Sequence, residues 1–342
     1  MNSFERINNT IKHQPTDHVP VSPILSGVTR NFTGVTYEAW ANNADICAEG
    51  LLRSAEEFDH DMIVTYIDLA IECDLWGQSL IFFDNKPVNP DRSSPVIKSS
   101  DDYARITKKD FKESKRMVMH LDVCRQLVEK AGSGKPIIAF VVGPLGIISM
   151  MRDQSELFMD FYDDPSRLVN TVNEITATLK DYCNALLDTG ISGIMIETVF
   201  ASQKLMSKDM WINIESGALK TLRDMVHQRE RLFMLHNCNN KPYFDAMTDI
   251  IAPDAISFMH PPADCRNFAE CKAKYGNKAV LMGCISPDRG VIGTDDDWKA
   301  ECRKQIGELG EGGGFIMSTG CEYPANGSLD RIRMMVDIAR QY

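Results

Sequence analysis

Eight short apolar runs recur along the 342 residues, each of a length that suits a buried strand, with longer amphipathic stretches between them. They are Val19 to Leu25, Met62 to Ile67, Ile137 to Val142, Gly193 to Glu197, Leu232 to Cys238, Ala255 to Met259, Val280 to Gly283 and Phe315 to Thr319. The stretches between them carry helix punctuation. Asp164 stands as an N-cap before Pro165 with Gly190 as the stop, Thr294 precedes Asp295-Asp296-Asp297-Trp298, and Ser328 precedes the last helix. Strands alternating with helices predict parallel pairing through crossovers, and eight such units predict a closed α/β structure, the (β/α)8 TIM barrel. The segment from Leu69 to Pro136 is longer than one crossover needs. It holds Ile81-Phe82-Phe83 and the polar, proline-containing stretch Lys86 to Ser100, which predicts an inserted hairpin in the second unit. No linker, repeat or charge block divides the chain, so residues 1–342 are expected to form a single barrel domain.

The fifth run ends in His236-Asn237-Cys238, and the eighth is followed by Cys321. Alternate residues of a strand share a face, so the imidazole of His236 and the sulfur of Cys238 are expected to point the same way. Cys321 then supplies a third donor from another strand end. Three protein ligands leave one position open, the arrangement of a catalytic zinc site as opposed to a closed structural one. A second reading stands beside it: free cysteine is among the most buried residue types, and all three side chains could be inert core. The barrel favours the metal, because active sites of this fold are built where the strands end. Glu197 ends the fourth run, and is either a fourth ligand or a carboxylate capping the next loop. His260 and Cys284 end the sixth and seventh runs and read as a loop residue and a passive thiol. Gly312-Gly313-Gly314 lacks a following lysine and precedes a strand, so it reads as a turn, not a phosphate cradle.

Composition narrows the class. Lysine and arginine number 37 against 48 aspartates and glutamates, a formal net charge of -11, which argues against nucleic acid or an anionic membrane as partner. Ten cysteines at positions 47, 73, 124, 183, 238, 265, 271, 284, 302 and 321 show no disulfide-framework spacing, as expected of a reducing compartment. Met1-Asn2-Ser3-Phe4-Glu5-Arg6 does not open a basic and then apolar leader, so a cytoplasmic location is expected.

With these residues in view, the chain resembles the uroporphyrinogen decarboxylase superfamily, and within it the zinc-dependent corrinoid methyltransferases. The likeness runs from Phe4-Glu5-Arg6-Ile7 and Asp17-His18-Val19-Pro20, through Phe58-Asp59-His60-Asp61, Asp68, Glu72 and Trp76-Gly77, to Gly143-Pro144-Leu145-Gly146. It ends with His236-Asn237-Cys238 and Gly320-Cys321-Glu322-Tyr323-Pro324. The resemblance implies zinc on His236, Cys238 and Cys321, and Asp68 and Glu72 as acids in catalytic positions. An alternative for Asp68 is an aspartate satisfied by backbone amides at a strand end. Two departures matter. Decarboxylases of the family hold a many-carboxylate substrate with an arginine-rich segment after strand one, where this chain has Ser22 to Thr29 and the single Arg30. Conversely, Asp68 sits where the decarboxylases keep a catalytic aspartate.

The resemblance thus implies a methyltransferase that moves a methyl group between a small substrate and the cobalt of a corrinoid. The substrate is a thiol acceptor, or a methoxy or methylamine-type donor. One imidazole and two thiolates nearly neutralise zinc, which preserves the nucleophilicity of an added thiolate. The chain has no Asp-x-His-x-x-Gly sequence to ligate cobalt, so the corrinoid is expected on a separate, transiently bound protein. The alternative is a decarboxylase of a tetrapyrrole or another carboxylated substrate.

Overall fold

The computed structural model describes residues 1–342, the side chain of Ser133 excepted. Strands β1 (Ile63–Val64), β4 (Ile137–Val142), β5 (Gly193–Glu197), β6 (Leu232–Asn237), β7 (Ala255–Phe258), β8 (Val280–Ile285) and β9 (Phe315–Thr319) form one parallel sheet in that order. β2 (Leu80–Ile81) and β3 (Asn89–Pro90) pair antiparallel inside the long second unit, where the inserted hairpin was expected.

The first predicted run does not form a regular strand. Val19 to Leu25 makes a single parallel bridge, Val21 to Met317, and this is where the barrel closes. On one side Ser22 N donates to Met317 O and Met317 N to Pro20 O, each at 2.8 Å; on the other Asp61 N donates to Val21 O at 2.7 Å. Pro20 and Pro23 lack the N–H that a ladder needs, which confines the pairing to the residues between them. Asp61 supplies a further tie, because its Oδ2 accepts from Val21 N at 2.8 Å. The eighth stave is therefore present as an extended segment held by side chain and backbone together.

Every residue of β4, β5, β7, β8 and β9 is buried, the pattern of parallel strands covered on both faces. The outer layer includes the helix Pro165–Asp188, whose cap Asp164 accepts from Arg167 N at 3.1 Å, and whose stop Gly190 takes φ +94°. Helix Asp295–Leu309 starts with a reciprocal cap: Asp297 N donates to Thr294 Oγ1, and the Asp297 carboxylate accepts from Thr294 N. Helix Leu329–Ala339 begins after Ser328 as expected, but the Ser328 hydroxyl makes no capping bond. No helix is long and apolar enough to cross a membrane.

Parallel register then sets the site. Val142, Glu197, His236 and Ser257 are successive partners across β4, β5, β6 and β7. Side chains at one level of a parallel sheet point the same way, so this row brings Glu197 and His236 side by side at the C-terminal end of the strands.

Candidate metal centre

The ring nitrogen of His236 and the sulfurs of Cys238 and Cys321 lie within 4.8 Å of one another. Ligands bound at about 2.0–2.3 Å around a single tetrahedral ion stand roughly 3.3–3.8 Å apart, so this spacing suits one ion. His236 is buried, and its Nδ1 lies 3.0 Å from Ser257 Oγ on the neighbouring strand. That contact fixes the ring and leaves Nε2 as the nitrogen to face the sulfurs. Both cysteines are half-buried, so the group opens to the barrel mouth. Contact between the two thiols raises Cys321 well above an ordinary thiol and lowers Cys238. His236 and the two cysteines are thus brought together as the sequence predicted.

Glu197 stands next to this group but outside it. One oxygen accepts from Val199 N at 2.5 Å. The other lies where Gly146 leaves room: a Cβ at that position would meet Glu197 Oε2 at 2.5 Å, and one at Gly143 would meet Glu197 O at 2.2 Å. The Gly143-Pro144-Leu145-Gly146 turn is therefore shaped around this glutamate. Burial, with Glu215 nearby, pushes its carboxyl up to about 8.

The two expected catalytic acids differ in circumstance. Asp68 is buried in a two-pronged ion pair with Arg116, Nη1 to Oδ1 at 3.1 Å and Nη2 to Oδ2, and also accepts from Ala70 N at 2.8 Å. Glu72 accepts from Val142 N at 3.1 Å through Oε1, whereas its buried Oε2 has no partner. Burial pushes Glu72 up to about 8. His260 is half-buried, lies outside the metal group and is lowered by burial. Cys284 is buried and its thiol pushed well up, as befits a passive side chain.

Sequence reasoning missed two acids. Glu215 is fully buried, accepting from Leu145 N at 2.9 Å, Thr198 Oγ1 at 2.8 Å and Trp211 Nε1 at 2.9 Å. A π-helical turn over Ile212–Ser216 delivers it, and no sequence signal announces such a turn. Glu322 follows Cys321 directly, a signal that could have been read. Burial raises it to about 7, with the hydroxyls of Ser26, Tyr37 and Tyr66 facing it.

A family model described as uroporphyrinogen decarboxylase (URO-D) matches residues 2–342. The chain belongs to that family. Among curated relatives, the methylcobamide:CoM methyltransferase of Methanosarcina acetivorans is 22% identical, with 99% of this chain and 97% of the relative covered. A uroporphyrinogen decarboxylase of Neisseria meningitidis is 20% identical, covering 88% of this chain and 85% of its own. Among solved structures, a methyltransferase from Methanosarcina mazei superposes with a TM-score of 0.85 at 21% identity, covering 100% of this chain and 98% of that one. A B12-independent methionine synthase from Shewanella sp. W3-18-1 gives a TM-score of 0.54 at 13% identity, with 86% of each chain covered. Both likenesses bear out the URO-D barrel as the fold.

Proposed function

We propose that this chain is a zinc-dependent methyltransferase that exchanges a methyl group between a small substrate and the cobalt of a separate corrinoid protein. The observation that carries the proposal is the His236, Cys238 and Cys321 group, open at the C-terminal end of a URO-D barrel. Similarity to methylcobamide:CoM methyltransferases over nearly the whole chain supports the corrinoid half of the reading. Zinc, when bound, would supply Lewis acidity that holds a substrate sulfur as thiolate, or polarises a leaving oxygen or nitrogen.

The protein's own residues divide the remaining work. Ser257 orients the His236 ring, and Phe140, edge-on at 5.6 Å between centroids, shields its flank from water. Cys238 and Cys321 hold or release the protons that a metal would displace. Glu197 is our proposed fourth ligand when no substrate is present, since it is the acid next to the group in register. Glu72, with one oxygen free, is proposed to take up or return a proton near Glu197. We propose that Asp68 acts in catalysis only by fixing Arg116 and the loop after β1. The corrinoid protein is proposed to bind transiently, because it must leave each turnover, and a cytoplasmic setting suits ten unpaired cysteines.

A decarboxylase reading draws on the Neisseria relative and on Asp68. It is weaker here, because Asp68 is committed to Arg116 and only Arg30 stands where a many-carboxylate substrate needs several arginines. The deciding assay mixes purified, zinc-loaded protein with methylcobalamin and a small thiol and follows the corrinoid spectrum. Loss of the methylcobalamin absorption with matching thioether formation is expected. Methylation of a substrate at full rate with no corrinoid present would overturn the carrier half of the proposal.

A further inference from the structure

Two pairs of large apolar side chains stand exposed on segments that leave the C-terminal ends of strands. Met159 and Tyr162, 57% and 73% exposed, lie on the helix Gln154–Asp163 that follows β4. Val291 and Ile292, 45% and 60% exposed, lie between β8 and the helix Asp295–Leu309. With the closing segment at Val21 counted first, β4 is the third stave and β8 the seventh, so the pairs belong to opposite sides of the barrel mouth.

Neither pair sits on a loose loop. Met159 and Tyr162 are three residues apart and share a helix face, and the inner face of that helix is fixed. Asp160 accepts from Arg152 Nε at 2.8 Å and Tyr103 Oη at 2.7 Å, while Phe161 packs on Phe200, three residues past Glu197, at 5.9 Å between centroids. On the other side, buried Arg331 spends its donors on the loop, from Nη1 to Ile292 O at 2.9 Å and from Nη2 to Gly293 O at 2.7 Å. Gly290 rests on the ring of Tyr323, two residues beyond Cys321, so closely that a Cβ there would come within 2.5 Å of it. Val291 and Ile292 thus form a prong seated on the segment that carries Cys321. Apolar groups held rigid in water are preorganised for contact.

Acids surround both pairs. Asp153, Glu156 and Asp163 are exposed at one, and Asp288 and Asp295 to Asp297 at the other. Segments 153–163 and 288–297 contain no lysine and one arginine, Arg289. We propose that the two pairs are the docking surface for the corrinoid-bearing protein, which meets them with apolar side chains ringed by lysine and arginine. The inference rests on the corrinoid reading above. A body that touches both sides must span the mouth, which is where cobalt has to be brought. A second copy of this chain seated there permanently would shut small substrates out, whereas a carrier that leaves each turnover needs only a few apolar anchors and a charged rim.

The test compares tagged wild-type protein with Tyr162→Asp, Ile292→Asp and Phe4→Asp, each shown to be folded by circular dichroism. Phe4 is the control, an exposed ring beside the start of β5 at the opposite end of the barrel. Each protein is immobilised and challenged with an extract of the native cells, checked beforehand for protein-bound corrinoid by cobalt content and absorption. The readout is cobalt retained on a corrinoid protein identified by mass spectrometry. Wild type and Phe4→Asp should retain it alike. Tyr162→Asp and Ile292→Asp should each retain about tenfold less, as expected when one buried anchor of an interface is lost. Wild-type retention should also fall in about 1 M sodium chloride, which screens the rim. No corrinoid protein on the wild type, unchanged retention in either mouth variant, an equal loss in Phe4→Asp, retention indifferent to salt, or a second copy of this chain in place of the corrinoid protein would each overturn the inference. The mouth variants lie on separate segments, so either decides the matter if the other does not fold. Methylcobalamin and a small thiol are offered to the wild type in parallel. If they react while both variants still hold the corrinoid protein, the docking surface is wrong and the proposed function stands; if they do not react while the variants lose it, the function fails and the docking surface stands.

Discussion

The two ends of the barrel treat acidic residues in opposite ways. At the N-terminal end, Asp61 and Asp17 share Arg6, and Asp59 is flanked by Lys135 and Arg340. The bond from Arg6 holds Asp17 well below the usual carboxylate range; at Asp59, burial raises the carboxyl, but Lys135 and Arg340 together outweigh it and lower it. At the C-terminal end, the carboxyls of buried Glu72, Glu197 and Glu215 and of half-buried Glu322 are raised, and desolvation is the leading cause in each case. Asp68, paired with Arg116, shows that the second arrangement is not forced by position. One end uses charge to fasten the first stave to its neighbours; the other keeps four glutamates out of ion pairs around the open His236, Cys238 and Cys321 group. Unneutralised buried acids cost stability, and such costs concentrate at functional sites.

The largest effect should come from breaking the paired end. Arg6→Ala leaves Asp61, which also holds Val21 N, buried without its cation. A loss of about 3–5 kcal/mol is expected from an uncompensated buried charge, measured by urea denaturation. A loss below about 1 kcal/mol, the range of exposed pairs, would show that this end is not fastened by charge.

A smaller effect of opposite sign should come from the unpaired end. The folded carboxyl of Glu72 titrates near 8, against an ordinary value of 4.5. Between those values the folded protein binds more protons than the unfolded chain. The stability contributed by the protonated form is therefore complete below about pH 4.5 and is lost as pH rises toward 8. Glu72→Gln keeps the acceptor for Val142 N and removes the charge, so it should stabilise the metal-free protein at pH 8 by on the order of 1–3 kcal/mol and have little effect at pH 4.5. Equal effects at both pH values would mean that Glu72 is ionised at no cost.

Much of the fold and of the His236, Cys238 and Cys321 group was legible in the sequence, and the illegible part has definite causes. His236, Cys238 and Cys321 could be read because strand alternation and barrel topology fix where such residues point. The hairpin between Leu69 and Pro136 showed in its length and prolines. The regular first strand was an error caused by Pro20 and Pro23, whose missing donors matter more than the apolar run they interrupt. Arg116 lies 48 residues from Asp68, and nothing local in either segment links them, so the ion pair between them was not legible. Glu215 depends on a π-helical turn inside an otherwise helical pattern, and Glu322 was passed over beside the more conspicuous Cys321. Pairing between distant segments decides whether an acid is an anchor or a reagent, and local pattern does not carry it.

The central claim is that His236, Cys238 and Cys321 form an open, exchangeable zinc site. X-ray absorption at the zinc edge, on protein loaded with one equivalent of metal, tests it most directly. Two sulfurs and a nitrogen, completed by an oxygen ligand, are expected in the free protein. Adding a substrate thiol should replace that oxygen with a third sulfur. A first shell that stays unchanged on adding thiol, or that lacks the two protein sulfurs, would contradict the account.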